Sequence, residues 1–381
     1  MFAIGSQRRL FDIPEGVAYF NTAYSGPQLN ASRDRLFLAA GAKSHPWDRL
    51  PADFFDDAER VRVLAGDLFG GGADGWAVIP AASYGVSTAA RVLEPTLKSG
   101  DRILVMSDEF PSNVLPWLST ARARGCEVIT TAPVDGDWTT AVVAAVRPGV
   151  RVVAACHCHW TNGAGIDLAA VGAACRAVGA ALVLDVTQSL GAAPLDLAAV
   201  DPDFLVAAGY KWLLSPYGMG LMYVAPRWRG ARPLEETWLA RDGADDFASL
   251  VHTSDRYRPG ARRFDGGETC VTTVLPGAIA ALEQLSHWGV ARVAASLASV
   301  NARIAARLEA LGFGLPPAAQ RSPHMFGATL PAGYQGDLQA DLKAHGVHVS
   351  RRGPSVRFAP HLHVTEADLG QLADALEAVM A

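Results

Sequence analysis

Between about residue 75 and residue 225 the chain alternates two kinds of pattern. Short, nearly continuous apolar runs fall at 76–80, 102–106, 127–131, 151–157, 181–186, 203–207 and 220–224. Such runs read as strands covered on both faces, which have no polar side to show. Between them, 83–97, 113–124, 138–146 and 168–178 carry apolar residues three and four apart and read as helices. Strand alternating with helix predicts an α/β fold with a mostly parallel sheet and helices on both faces. Ligands of such sheets bind outside the carboxyl ends of the strands, so chemistry is sought just after each strand.

Beyond about residue 270 the pattern changes. Segments 275–285 and 291–311 read as helices, 327–330, 346–350 and 355–359 as short strands, and 365–380 as a closing helix. This predicts a smaller α+β domain. Segment 226–268 is rich in Arg, Asp and Gly and weak in periodicity, and reads as a long connection lining a site or an interface.

Composition narrows the function classes. The chain has 381 residues, enough for two domains. Half of them are hydrophobic and 19% are charged, which excludes a disordered chain. The 33 Lys and Arg against 38 Asp and Glu leave a net charge of −5. That balance offers no electrostatic footprint for nucleic acid or anionic membrane. Apolar stretches stay well short of the ~20 residues that span a bilayer. The N-terminus lacks the long apolar run of a secretory signal. Five scattered cysteines, Cys126, Cys156, Cys158, Cys175 and Cys270, fit a reducing compartment and a cytoplasmic protein better than a disulfide framework. In Cys156-His157-Cys158-His159 the side chains of a strand would alternate rather than converge on one metal ion.

Two strand ends carry the chemistry. The run Ala181-Leu-Val-Leu-Asp185 ends in a carboxylate, with Gln188 three residues on. Lys211 follows the next strand and a small-residue turn, 26 positions later. The two can meet over the sheet edge, either as a buried ion pair or as a functional one. Pyridoxal phosphate needs a lysine for its Schiff base, a carboxylate to keep its pyridine nitrogen protonated, and donors for its phosphate. The turn Pro80-Ala-Ala82-Ser83-Tyr-Gly85, between a strand and a helix, supplies helix N-terminal N–H groups and a hydroxyl for a dianion.

With these residues in order, the chain resembles the class V aminotransferase group of fold-type I pyridoxal-phosphate enzymes, which includes cysteine desulfurases, kynureninases and isopenicillin N epimerase-like proteins. The resemblance spans nearly the whole chain. It rests on Tyr19-Phe-Asn-Thr-Ala23, Ala82-Ser83-Tyr-Gly85, Glu109-Phe110-Pro-Ser-Asn113, His159-Trp-Thr-Asn162, Asp185-Val-Thr-Gln188, Gly209-Tyr210-Lys211 and Ser355-Val-Arg357-Phe-Ala-Pro-His361. It implies pyridoxal 5'-phosphate as cofactor, a seven-stranded large domain over 20–270, and a small domain of 1–19 and 271–381. Lys211 is then the Schiff-base lysine and Asp185 the partner of the pyridine nitrogen. Asn162 and Gln188 contact the ring oxygen, and Phe110 stacks on the ring. Ala82, Ser83 and Tyr210 match phosphate positions. Arg357 matches the arginine that binds the substrate α-carboxylate, and Ala23 a substrate position. Thr272 is expected to complete the phosphate site of a neighbouring subunit in a homodimer with composite active sites. Two positions depart from the family pattern: Ala208 stands where many relatives have serine or threonine, and Tyr210 where many have histidine. Arg241, Arg351 and Arg352 are candidates for a second acidic group of the substrate, and His45, Trp47, Trp160 and Trp238 for pocket walls.

Desulfurases carry a cysteine on a loop shortly before the carboxylate-binding arginine, and no cysteine follows Cys270 here. The expected activity is therefore aminotransfer on a small α-amino acid. Epimerisation and kynureninase- or β-lyase-type cleavage are the alternatives, and a non-catalytic cofactor-binding protein is disfavoured by the intact Lys211/Asp185 pair.

Overall fold

The computed structural model describes residues 4–380 apart from 134, 253 and 270, so Cys270 lies outside the described residues. In chain order the strands are β1 (Ala18–Tyr19), β2 (Trp76–Ile79), β3 (Arg102–Met106), β4 (Glu127–Thr131), β5 (Val150–Cys156), β6 (Ala181–Asp185), β7 (Phe204–Ala208), β8 (Gly220–Val224), β9 (Phe326–Thr329), β10 (Val347–His348), β11 (Ser350–Arg352) and β12 (Ser355–Phe358). The helices are α1 (Asn30–Ala42), α2 (Asp56–Phe69), α3 (Ala82–Leu93), α4 (Leu115–Arg124), α5 (Trp138–Ala145), α6 (Leu168–Val178), α7 (Leu197–Val200), α8 (Leu275–Trp288), α9 (Val290–Ala310), α10 (Leu338–Ala344) and α11 (Glu366–Met380).

Seven strands form one sheet in the order β2-β8-β7-β6-β5-β3-β4, and β8 alone among them runs against its two neighbours. The central strands β6, β7 and β8 are buried almost throughout, which is why their sequences are unbroken apolar runs. At the edge, β4 has only exposed and half-buried residues. One face of the sheet is covered by α3 and α4, through Val86, Ala89, Ala90, Leu93, Trp117 and Ala121. The other face is covered by α2, α6 and α8. This is the mostly parallel α/β sheet that the apolar pattern predicts.

Four helices, α1, α2, α7 and α10, fall where the pattern names none, and α7 is a single turn of four residues. α1 scatters its apolar residues around its axis and leaves Phe37 70% and Leu38 72% exposed, so no stripe marks it. α2 does carry a stripe, Ala58, Val61, Ala65 and Phe69, all buried. α10 is only seven residues long. Segment 346–350, expected as one strand, divides: β10 pairs parallel with β1, and β11 pairs antiparallel with β12. A second core joins Ala18 and Phe20 to Ile304, Leu308, Phe326, Val356, Phe358 and Leu376. Because α8 and the first half of α9 pack into the larger core instead, we propose that the large and small domains meet along α9 rather than at residue 270.

The connection 226–268 is tied down by buried charge. Arg62, 1% exposed, donates from Nη1 to Asp265 Oδ1 at 2.9 Å and to the Trp76 carbonyl at 2.8 Å, and its Nη2 closes a second bond to Asp265. Asp265 Oδ1 also accepts the Val78 N–H at 2.9 Å, which ties the connection to β2 just before the turn at Pro80. Removing one member of a buried pair leaves an uncompensated charge, at a cost of about 3–5 kcal/mol. Asp265→Ala should therefore lose about that much stability in chemical denaturation, and Asp265→Asn less, because an amide oxygen still accepts from Val78.

Candidate active site

The carboxyl ends of β2, β3, β5, β6 and β7 converge on one cleft. Its wall contains Ala82, Ser83, Phe110, Asp185, Gln188, Tyr210 and Lys211, seven of the residues singled out in the sequence. Asp185 closes β6 and is 7% exposed; Lys211 lies in the turn after β7 and is 8% exposed. No ion pair joins them, so the two charges face the cleft rather than each other. The bland reading, a closed buried salt bridge, is not what the chain forms.

Burial raises the Asp185 carboxyl, against the Thr187 N–H that donates to Oδ1 at 2.9 Å and against Lys211 across the cleft. Lys211 is pushed down to about 8, by burial first and then by the positive charges of Arg357 and Arg352, with Asp185 opposing. A lysine held there has a usable neutral fraction at neutral pH and is a ready nucleophile and base. The turn before it is close-packed. A Cβ on Gly26 would lie 2.1 Å from the Lys211 carbonyl oxygen, so only glycine lets the N-terminal segment cross there.

The other walls come from the same sheet and the helices and turns that flank it. α5, α6 and α7 start on capping aspartates, Asp137, Asp167 and Asp196. α3 starts on Ala81, which offers no side-chain cap. The N–H groups of Ala82 and Ser83 thus open on the cleft, where the positive end of the helix suits an anion. Gln188 is clamped: its Nε2 donates to the Ala23 carbonyl at 3.0 Å, its Oε1 accepts from Trp212 Nε1 at 3.0 Å, and His324 bonds its backbone carbonyl. Phe110 leaves a face 39% exposed, with the Lys211 nitrogen 5.7 Å from its centroid. Tyr210 stacks on Tyr217 at 4.0 Å.

Four expected residues stand outside the wall. Ala23 is buried behind Gln188 and reaches the site through its carbonyl. Asn162 accepts the Ala164 N–H at 3.1 Å and packs against Gly327, one layer back. Arg357, 1% exposed, donates from Nε and Nη2 to Ser350 Oγ at 3.2 and 2.9 Å, and from Nη1 to the carbonyl of Trp160, which does line the cleft. Thr272 lies beside Lys43 and His45 in a separate depression next to α1. Of the loop aromatics, Trp160 is in the wall, whereas Trp47 packs on His45 and Trp238 on Phe54, Phe55 and Phe247.

Among the wall residues to which the sequence assigned no role in the cleft are Glu109, Cys156 and Cys158. Glu109 is 8% exposed, its Oε1 accepts the Phe110 N–H at 2.7 Å, and its Oε2 is buried without a partner. Burial, and to a lesser degree Asp185, push it up to about 7. The signal was available, since Glu109 follows β3 within the motif already noted. Cys156 and Cys158 also line the cleft, although both lie far from the loop where a desulfurase cysteine is sought. Burial drives both thiols up, Cys158 to about 12, so they stay protonated and are poor nucleophiles. Among the described residues no group of three or more His, Cys, Asp or Glu is arranged to hold a metal ion, and no helix is long and apolar enough to cross a membrane.

The residues fit pyridoxal phosphate on this geometry. A buried carboxylate without a salt-bridge partner, a lysine whose pKa is lowered to about 8, an uncapped helix N-terminus and a flat aromatic wall face one cleft. Comparison with known proteins points the same way. A sequence model of class V aminotransferases matches residues 49–368. The isopenicillin N epimerase of Streptomyces clavuligerus is 27% identical over 379 residues, 95% of each chain. In fold, the apo cysteine desulfurase of Thermococcus onnurineus superposes with a TM-score of 0.84 at 18% identity, over 100% of this chain and 99% of that one. A cystine C–S lyase, solved with its product cysteine persulfide, gives 0.81 at 17% identity over 95% and 97%. The chain belongs to the class V aminotransferase family of pyridoxal-phosphate enzymes, with the fold-type I architecture.

An acid whose pKa is raised by folding adds stability below its unfolded value, near 4.5, and loses it as pH climbs through about 7. Cofactor-free wild type should therefore lose up to about 3 kcal/mol relative to Glu109→Gln between pH 4.5 and pH 8. Parallel denaturation curves of the two proteins across that range would remove Glu109 as a buried titrating group.

Proposed function

We propose that this protein is a pyridoxal-phosphate enzyme that removes the α-proton of an α-amino acid, with Lys211 as the base. The observation that carries the reading is the separation of Asp185 and Lys211 across one cleft, each buried and neither neutralised by the other. When bound, pyridoxal phosphate supplies an electron sink for the carbanion at Cα. Asp185 holds a proton at the pyridine nitrogen. The N–H groups of Ala82 and Ser83, the Ser83 hydroxyl and Tyr210 bind the phosphate. Phe110 and Gln188, with Asn162 behind them, fix the ring. Arg357 offers its planar fork to the α-carboxylate and so orients the Cα–H bond.

Aminotransfer is the outcome Lys211 can complete alone, because one amine takes the proton from Cα and returns it elsewhere on the same side. Epimerisation is a second reading, favoured by the near full-length similarity to isopenicillin N epimerase and by Glu109, a second acid poised to about 7 in the same cleft. Persulfide chemistry is disfavoured by the protonated state of Cys156 and Cys158. Incubation with single amino acids in deuterated water separates the outcomes. Aminotransfer releases keto acid in proportion to an acceptor, epimerisation returns deuterated amino acid of both hands, and a lyase releases keto acid without an acceptor. Borohydride should fix the cofactor to Lys211, one of four lysines, as a mass-labelled peptide. Lys211→Ala should abolish the label and all three reactions. Asp185→Asn should keep the label and lose at least about a hundredfold in kcat. A label on another lysine, or near-normal turnover in Asp185→Asn, would overturn the assignments.

We further propose a cytoplasmic homodimer. Cys126, Cys156, Cys158 and Cys175 are free thiols. Phe37, Leu38, Trp47 and Leu50, each more than 60% exposed, belong to the same segment that borders Thr272. That much apolar surface suits a partner subunit. Light scattering should give twice the chain mass, and Leu38→Asp with Trp47→Asp should give the single-chain mass.

A further inference from the structure

The hairpin β11–β12 carries three arginines, and its register separates them. Ser350 pairs with Arg357, Arg351 with Val356 and Arg352 with Ser355. Side chains alternate along a strand. Arg352 therefore shares a face with Arg357, while Arg351 shares the opposite face with Val356, a residue of the small core. Diagonal neighbours of this kind lie about 7–8 Å apart.

Trp160 stands against both. Arg357 donates to its carbonyl, and the Arg352 guanidinium lies 5.9 Å from its ring. The same ring meets Phe110 edge-on at 5.5 Å, inside the cleft. Arg357 is fully buried and Arg352 half-buried. Among the described residues, neither has a carboxylate within ion-pair distance. Among the described residues, Arg352 hydrogen-bonds only to the Arg351 carbonyl, at 2.7 Å. Arg241, the other candidate, is already paired with Glu236 at 2.6 Å.

Charge around the cleft is unbalanced. Lys211, Arg352 and Arg357 oppose Asp185, and Glu109 is held largely neutral below about pH 7. The positive charge of Arg352 reaches both Lys211 and Arg357, which it helps to push down. One α-carboxylate answers Arg357 and leaves Arg352 without a counter-charge.

We propose that Arg352, stacked beside Trp160, binds a second acidic group, so that the substrate is an α-amino acid with an acidic side chain. This rests on the assignment of Arg357 to the α-carboxylate. A guanidinium fork on a carboxylate, with the aromatic face beside it, discriminates against an uncharged side chain by about tenfold or more.

The test is calorimetric binding of length-matched acids to the purified holoenzyme: glutarate against pentanoate, and adipate against hexanoate. Wild type should bind each dicarboxylate at least about tenfold tighter than its monocarboxylate. In Arg352→Gln the ratio should collapse towards one, in Arg351→Gln it should persist, and Arg357→Ala should weaken both series. Turnover should follow: Arg352→Gln raises KM for glutamate and 2-aminoadipate but not for norvaline and norleucine. Equal binding of the two series by wild type, or a preference that survives Arg352→Gln, would overturn the proposal. Failure of the pyridoxal-phosphate reading shows separately, as a missing borohydride label on Lys211.

Discussion

Two opposite charges, buried at the ends of adjacent parallel strands and kept out of contact, organise this molecule. β6 and β7 run side by side with Asp185 opposite Val206, so the carboxylate ends one strand while Lys211 follows the other by a short turn. Burial disfavours both charged forms, and direct contact would relieve that. The fold instead holds them on the wall of one cleft. A buried charge without its partner is costly, and that cost is a reason to read the arrangement as functional.

The surrounding structure maintains this separation. The N-terminal segment crosses at Gly26, where a Cβ would meet the Lys211 carbonyl. Gln188 is held by Ala23, Trp212 and His324, which come from three distant parts of the chain. The long connection is pinned to β2 by the Arg62–Asp265 pair, and that strand leads into the turn at Pro80. Each of these contacts fixes backbone that leads to the cleft wall.

The family frame leaves room for several reactions, and the cleft's own residues narrow them. Two cysteines line it, yet burial keeps both protonated. Glu109 adds an acid that titrates near neutrality, and Trp160 links the two domains through Arg357 and Arg352. The hairpin of β11 and β12 thus sets two guanidinium groups behind Trp160, while Asp185 and Lys211 stand in the cleft wall itself.

Ala82, Phe110, Gln188 and Tyr210 were named through the family resemblance, whereas the sequence by itself determined the seven-stranded sheet and most of its flanking helices, and it placed Ser83, Asp185 and Lys211 at strand ends. These were legible because a strand buried on both faces must be apolar throughout, and because chemistry in a parallel sheet gathers just past the strand ends. Only the tertiary structure decided the rest. α1 has no apolar stripe, since its exposed Phe37 and Leu38 find no core within this chain. Glu109 was legible from its place after β3, but the burial that raises its pKa and those of Cys156 and Cys158 is reported by no local pattern. Arg351 and Arg352 are neighbours in sequence and chemically identical. They were told apart by the register of one short hairpin, because pairing across strands is a long-range contact and a single step along a strand turns a side chain to the other face.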